Sequence, residues 1–132
     1  MTGIELQLPW PPTMNTYWRS VPKKRGRKVI VQVLISAAGR AYRVKVAQQV
    51  LAQIGKASHL DGRLAIDITA LPPDRRVRDL DNLFKGTLDA LTKAGVWTDD
   101  GNLDRITIER GPIQKGGALL VRIQTYTPSE AP

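Results

Sequence analysis

Two aspartates two residues apart, Asp79 and Asp81, follow directly on Arg75, Arg76 and Arg78 in a 132-residue chain of formal net charge +8. Basic surface attracts phosphate and carboxylates repel it, so acids set among arginines need a purpose other than anion binding. Phosphodiester hydrolysis supplies one: a carboxylate-bound divalent metal lowers the pKa of a water and neutralises charge on the transition state. The chain has no cysteine and one histidine, His59. Thiolate and His-rich zinc sites are therefore excluded, and oxygen donors favour Mg²⁺, with Mn²⁺ as a substitute. Lys85, four residues after Asp81, adds a fixed positive charge that can steady a phosphate or an attacking hydroxide. A second acid pair, Asp99-Asp100, stands in the turn-forming run that ends at Asn102.

Each acid also has a plainer use. Aspartate is a favoured helix N-cap contributing about 1 kcal/mol, but one cap accounts for only one of Asp79 and Asp81. In a helix the two would point about 200° apart, whereas on extended backbone residues i and i+2 point the same way. Pro72-Pro73 precedes them, and the helical pattern strengthens only after Leu80. That places the pair in a strand-to-helix junction, with both carboxylates able to converge on one cation. The run from Asp99 does not fit the spacing of an EF-hand calcium loop. Asp89 is expected to pair on its own helix with Lys85 or Lys93, Asp104 to serve a turn, and His59 to lie on the surface or cap a helix.

These groups must be positioned by the surrounding elements. Ile4, Leu6 and Leu8 alternate with polar residues as in a half-buried strand, which Pro9, Pro11 and Pro12 end, with Trp10 packed on the core. Arg19 to Lys28 holds six cations and no acid, with Pro22 and Gly26. It reads as a mobile loop contacting phosphate through Lys23, Lys24, Arg25, Arg27 and Lys28, against the alternative of a solvated hairpin. A β-branched strand from Val29 to Ile35 follows. Next comes a helix capped by Ser36 and stopped by Gly55, with Ala41, Val44, Ala47, Leu51 and Ile54 at helical spacing. Arg63 to Leu71 alternates as a strand. A second helix, from about Asp81 to Ala94, carries the stripe Leu80, Leu83, Phe84, Thr87, Leu88 and Leu91. Gly86 inside it costs about 1 kcal/mol relative to alanine and marks either a close approach or a tolerated defect. Two last strands, around Ile106 and Ile108 and then Leu119, Val121 and Ile123, are spaced as a hairpin across Gly111-Pro112 and Gly116-Gly117. If the first of these lies beside Arg63–Leu71, the loops carrying the two acid pairs meet at one sheet end. The order β-β-α-β-α-β-β predicts a single α+β domain over residues 1–132, two helices packed on a mixed, mainly antiparallel sheet.

A sequence pI near 10.2 calls for an anionic partner. Nucleic acid fits best: no helix pairs a lysine-rich face with bulky apolar residues, the longest apolar run is too short to span a bilayer, and no signal peptide is evident. No membrane contact and no organic cofactor are expected, and the absence of cysteine suits a reducing cytoplasm.

The segment from Pro73 through Asp79-Leu80-Asp81-Asn82 to Lys85, then Leu88-Asp89-Ala90-Leu91 and Gly95-Val96-Trp97-Thr98-Asp99-Asp100, strongly resembles the RusA family of Holliday-junction resolvases. Leu8-Pro9-Trp10-Pro11-Pro12 with Asn15 and Tyr17, Ser36 to Arg43, and Lys115-Gly116-Gly117 resemble it too, so the likeness spans essentially the whole chain. It implies a homodimeric, Mg²⁺-dependent endonuclease of bacterial or phage-infected cytoplasm that binds four-way junction DNA and nicks two strands symmetrically. Position by position, Asp79, Asp81 and Asp100 match the family's essential carboxylates and Lys85 its essential lysine. Arg75, Arg76, Arg78 and Asn82 are then expected DNA contacts. Pro22 to Leu34 departs from the family pattern by its length, and Gly86-Thr87 by its weak helix preference. The competing reading is a non-catalytic, structure-specific DNA-binding protein that uses the arginines and the basic run alone.

Overall fold

The computed structural model describes residues 3–128. Ile4–Pro9 (β1) turns Leu6 and Leu8 inward and leads through the proline-rich turn to one helical turn, Met14–Tyr17 (α1). Trp18–Arg25 (β2) and Lys28–Ile35 (β3) pair antiparallel. Ser36 caps Ala37–Ile54 (α2), its hydroxyl oxygen accepting from the Gly39 N–H at 3.0 Å, and left-handed Gly55 ends it. Leu64–Leu71 (β4) leads by a long loop to a 3-10 turn, Leu80–Leu83, and then Phe84–Lys93 (α3). A second 3-10 turn, Asp100–Asn102, precedes Leu103–Arg110 (β5), and Ala118–Thr125 (β6) completes the described elements.

The four-stranded sheet has the order β1-β6-β4-β5, with β6 antiparallel to both neighbours and β4 parallel to β5. This is the expected α+β arrangement on a mixed, mainly antiparallel sheet. Leu8, Ile66, Leu119 and Ile123 from the strands meet Val46, Val50 and Leu91 from α2 and α3 in one core. Along α3 the predicted stripe holds: Leu83, Thr87 and Leu91 are buried, and the Thr87 hydroxyl donates to the Leu83 carbonyl at 2.7 Å. Helix α2 also closes the free edge of β1. Its Gln53 amide accepts from the Gln7 N–H at 2.8 Å and donates to the Gln7 carbonyl at 2.7 Å, and the Tyr42 hydroxyl donates to the Pro9 carbonyl.

Three expectations change, and one pair of alternatives is decided. Arg19–Lys28 is no loop: it forms most of a hairpin whose two-residue turn starts at Gly26, with φ of 60°. The β-branched run across from it supplies the partner strand. The last two strands form no hairpin, because β6 inserts between β1 and β4 while β5 pairs on the far side of β4. Helix α2 buries Gly39, Tyr42, Val46 and Val50, while Val44 and Leu51 are 57% and 58% exposed. Both stripes have helical spacing, and the large Tyr42 ring decides which one faces in. Gly86 is a close approach: a Cβ there would lie 2.9 Å from the ring of fully buried Tyr17.

Candidate active site

Strand β4 hands the chain to a loop that Asp74 organises. Its carboxylate accepts the Arg76 N–H at 2.9 Å and both arms of the Arg78 guanidinium at 2.7 and 3.0 Å. Arg78, and secondarily the Arg76 N–H, hold this carboxyl at about 2. Arg78 also lies over the Trp10 ring at 5.8 Å, and Arg110 donates to its carbonyl. Arg78 is thus committed to the loop's shape. Arg75 and Arg76 are exposed and have no ion pair among the described residues.

Asp79 ends the loop with extended φ and ψ of −80° and 127°, at the N-cap position of the 3-10 turn, but its side chain makes no cap hydrogen bond. Asp81 sits in the first turn. Leu80 between them packs on the core, so both carboxylates stay on the solvent side. Neither has an arginine or lysine partner among the described residues, whereas Glu5, Asp67, Asp74, Asp89 and Asp104 each pair with an arginine. Asp89 does not pair within its helix as expected: it bonds across to Arg43 on α2 at 2.7 Å and accepts from the Tyr17 hydroxyl. Asp104 pairs with Arg63 on the neighbouring strand's approach rather than closing the turn.

Lys85, exposed one helical turn beyond Asp81, lines a shallow groove of about 360 Å³ with Asn15, Trp18, Arg19 and Ser20 at the hairpin's base. Asp79 and Asn82 line another of about 280 Å³ with Trp10, Thr13 and Arg78. A surface of arginine loop, free acids, Lys85 and hairpin therefore runs across the N-terminal end of α3. At the hairpin tip Lys23, Lys24, Arg25, Arg27 and Lys28 are all exposed, and Arg25 lies directly opposite Lys28. Like charges opposed in a lone two-stranded ribbon are unfavourable unless an anion joins them. The larger cavity, about 520 Å³ near Glu5, Gln7, Asp67 and Arg122, contains none of these groups. The places of Asn15 and Arg110 depend on contacts between distant segments, and no local pattern in the sequence marks either for this surface.

The second acid pair divides its work. Asp99 accepts from the Gly101 N–H at 3.3 Å while Asn102 accepts from the Asp99 N–H at 3.0 Å, a reciprocal cap. The Gly101 bond keeps the Asp99 carboxyl below the usual carboxylate range. Asp100 is pushed up, first by its hydrogen bond to the Asp99 carboxyl, then by partial burial and the negative charges of Asp99 and Asp89. Asp99 holds the turn and Asp100 remains for other work.

The loops do not meet at one sheet end. Because β4 and β5 are parallel, the loop leaving β4 and the turn entering β5 lie at opposite ends, with α3 as the crossover. The helical stretch between them rises about 20 Å. Among the described residues no three acidic, histidine or cysteine side chains cluster closely enough to hold a metal. Asp81 lies within the 3-10 turn and not on extended backbone, so only Asp79 keeps the extended conformation expected of the pair. Among the described residues each carboxylate is without an ion pair, and carboxylate oxygens are donors of the kind a hard cation takes.

Residues 9–124 match the model of the family described as endodeoxyribonuclease RusA. The crossover junction endodeoxyribonuclease of Enterobacteria phage 82 is 45% identical over 127 residues, that of phage HK97 42% over 123, and that of Escherichia coli K12 43% over 127. Each alignment covers 93% of this chain and 95% of the relative. By these matches, and by the acids, lysine and arginine loop set at one end of α3, the chain belongs to the RusA endodeoxyribonuclease family.

Proposed function

We propose that the chain is a crossover junction endodeoxyribonuclease that binds four-way junction DNA as a homodimer and hydrolyses one phosphodiester in each of two opposed strands. The observation that carries this reading is the pair Asp79 and Asp81, left without a cation partner beside Lys85, in a chain related over most of its length to enzymes named for that activity. Asp79, Asp81 and an Asp100 are the residues to hold Mg²⁺, which when bound supplies a water of lowered pKa and neutralises charge on the phosphoryl group. Lys85 holds a non-bridging phosphate oxygen by a fixed charge. Arg75, Arg76 and Asn82 orient the flanking backbone, Arg78 positions their loop, and Lys23, Lys24, Arg25, Arg27 and Lys28 take a neighbouring arm of the junction. Such contacts read shape and phosphate placement rather than base sequence.

A second copy serves two needs. A junction with two-fold symmetry requires two equivalent sites, which a closed dimer presents. One chain also holds its Asp100 at the far end of α3 from Asp79 and Asp81, so the third carboxylate of each site comes from the partner. The bacterial or phage-infected cytoplasm, where the relatives' hosts keep their DNA, is the proposed setting. Incubating the protein with a synthetic four-way junction in Mg²⁺ and in EDTA tests the proposal. Paired, ligatable nicks that need metal are expected. Tight binding with no cutting in Mg²⁺ or Mn²⁺ would leave only a DNA-binding module.

A further inference from the structure

The two edges of the main sheet are treated differently. Side chains of α2 close β1, but among the described residues β5 carries no such cover, and along it only Leu103 and Ile108 are even half-buried. The Gly111 N–H donates to the Ala70 carbonyl, and bonding groups alternate along a strand. Odd-numbered residues of β5 therefore bond to β4, and Asp104, Ile106, Ile108 and Arg110 direct their N–H and C=O groups outward. An exposed edge of this kind is a template for another strand.

The charge order of that edge reads the same in both directions with signs exchanged: Asp104-Arg105-Ile106-Thr107-Ile108-Glu109-Arg110. We propose that β5 is the seam of the homodimer, pairing antiparallel with β5 of a second copy about a two-fold axis at Thr107. This rests on the dimeric reading above and names its interface. In that register Asp104 faces the partner's Arg110, Arg105 faces the partner's Glu109, and Ile106 faces the partner's Ile108. Glu109, which has no ion pair within the described chain, gains one, and Ile106, 40% exposed, is covered. Sliding by one residue is barred because bonding groups would face away from each other. Sliding by two opposes Asp104 to Ile108 or Arg105 to Gly111 and removes the charge matches. The same axis sets the partner's Asp100 level with Gln114, whose N–H bonds to the Pro72 carbonyl at 2.9 Å where the arginine loop begins. The seam thereby carries a carboxylate to the sheet end that holds Asp79 and Asp81.

Antiparallel residues facing across a two-fold axis in a non-hydrogen-bonded pair have Cα atoms about 4.5 Å apart, within disulfide reach. The chain has no cysteine of its own. Thr107→Cys, mildly oxidised without DNA, should convert to a reductant-sensitive covalent dimer, while Arg105→Cys should not; Arg105→Cys combined with Glu109→Cys should. Ile106→Pro, which removes an outward N–H and the apolar side chain of the seam but no bond to β4, should keep the native circular dichroism spectrum and run as a monomer in light scattering. If Thr107→Cys fails to cross-link although the wild type is dimeric, the seam is wrong and the dimer stands. A wild type that is monomeric both free and on a junction it cleaves overturns the dimer, and the seam with it.

Discussion

Asp79 and Asp81 begin a helical segment, where the helix dipole already favours negative charge, but among the described residues neither side chain forms an ion pair and Asp79 makes no cap hydrogen bond. Asp81→Asn should therefore change unfolding free energy by less than about 0.5 kcal/mol while cutting falls by on the order of 10² or more, as when one transition-state stabiliser is removed. Junction affinity should hold or rise with one repulsive charge gone, and urea unfolding beside a nicking assay separates the effects. Asp99→Ala should instead lower the urea midpoint through removal of the cap on the 3-10 turn. Asp100→Asn should not destabilise at neutral pH, since a carboxyl raised in the folded state favours folding only below its ordinary range and that contribution is lost as pH rises. Asp74 shows the opposite sign. Held at about 2 by Arg78, it contributes stability above the ordinary carboxylate range that disappears as pH falls toward 2. A carbon-detected NMR titration should find that midpoint, and Arg78→Ala should return it toward the ordinary value. The spacing of Asp79, Asp81 and Lys85 was readable in the sequence because it is local. Asp89's partner was not, since Arg43 lies 46 positions away on another helix.

Elements were legible where the pattern had one solution. The alternation of β4 and the stripe of α3 each matched one face. Helix α2 offered two stripes of equal spacing, and only packing around Tyr42 separates them. Cations concealed the hairpin, because charge and proline suggested a loop while the pairing information lay in the β-branched strand opposite. Replacing Lys23, Lys24 and Arg27 with glutamine should leave stability unchanged or improved. The slope of log junction affinity against log salt should shrink by about 0.9 for each phosphate that is no longer neutralised. Gly86 makes a contrary prediction to helix propensity. Alanine there gains about 1 kcal/mol of propensity but drives a methyl into the Tyr17 ring, which is fully buried against Trp18 and Tyr42. Overpacking of about 1–3 kcal/mol should win, lowering the urea midpoint.

At the scale of the molecule, one feature reorganises the site: β5 runs parallel to β4, not back along β6. Strand spacing suits either arrangement, so the sequence could not reveal that Asp100 stands at the opposite end of the sheet from Asp79 and Asp81. In the proposed dimer that separation makes each site one shared between copies, which would tie catalysis to dimerisation and give a symmetric junction two equivalent centres. Two inactive variants test this sharing. Asp81→Asn and Asp100→Asn, co-expressed with different tags and purified as a mixed dimer, would place both defects in one shared site and leave the other intact. The mixed dimer should then regain Mg²⁺-dependent nicking of one junction strand without paired resolution, while each parent alone stays inert. A mixed dimer as inert as its parents, beside a wild-type dimer that resolves the same junction, would contradict a site shared between copies.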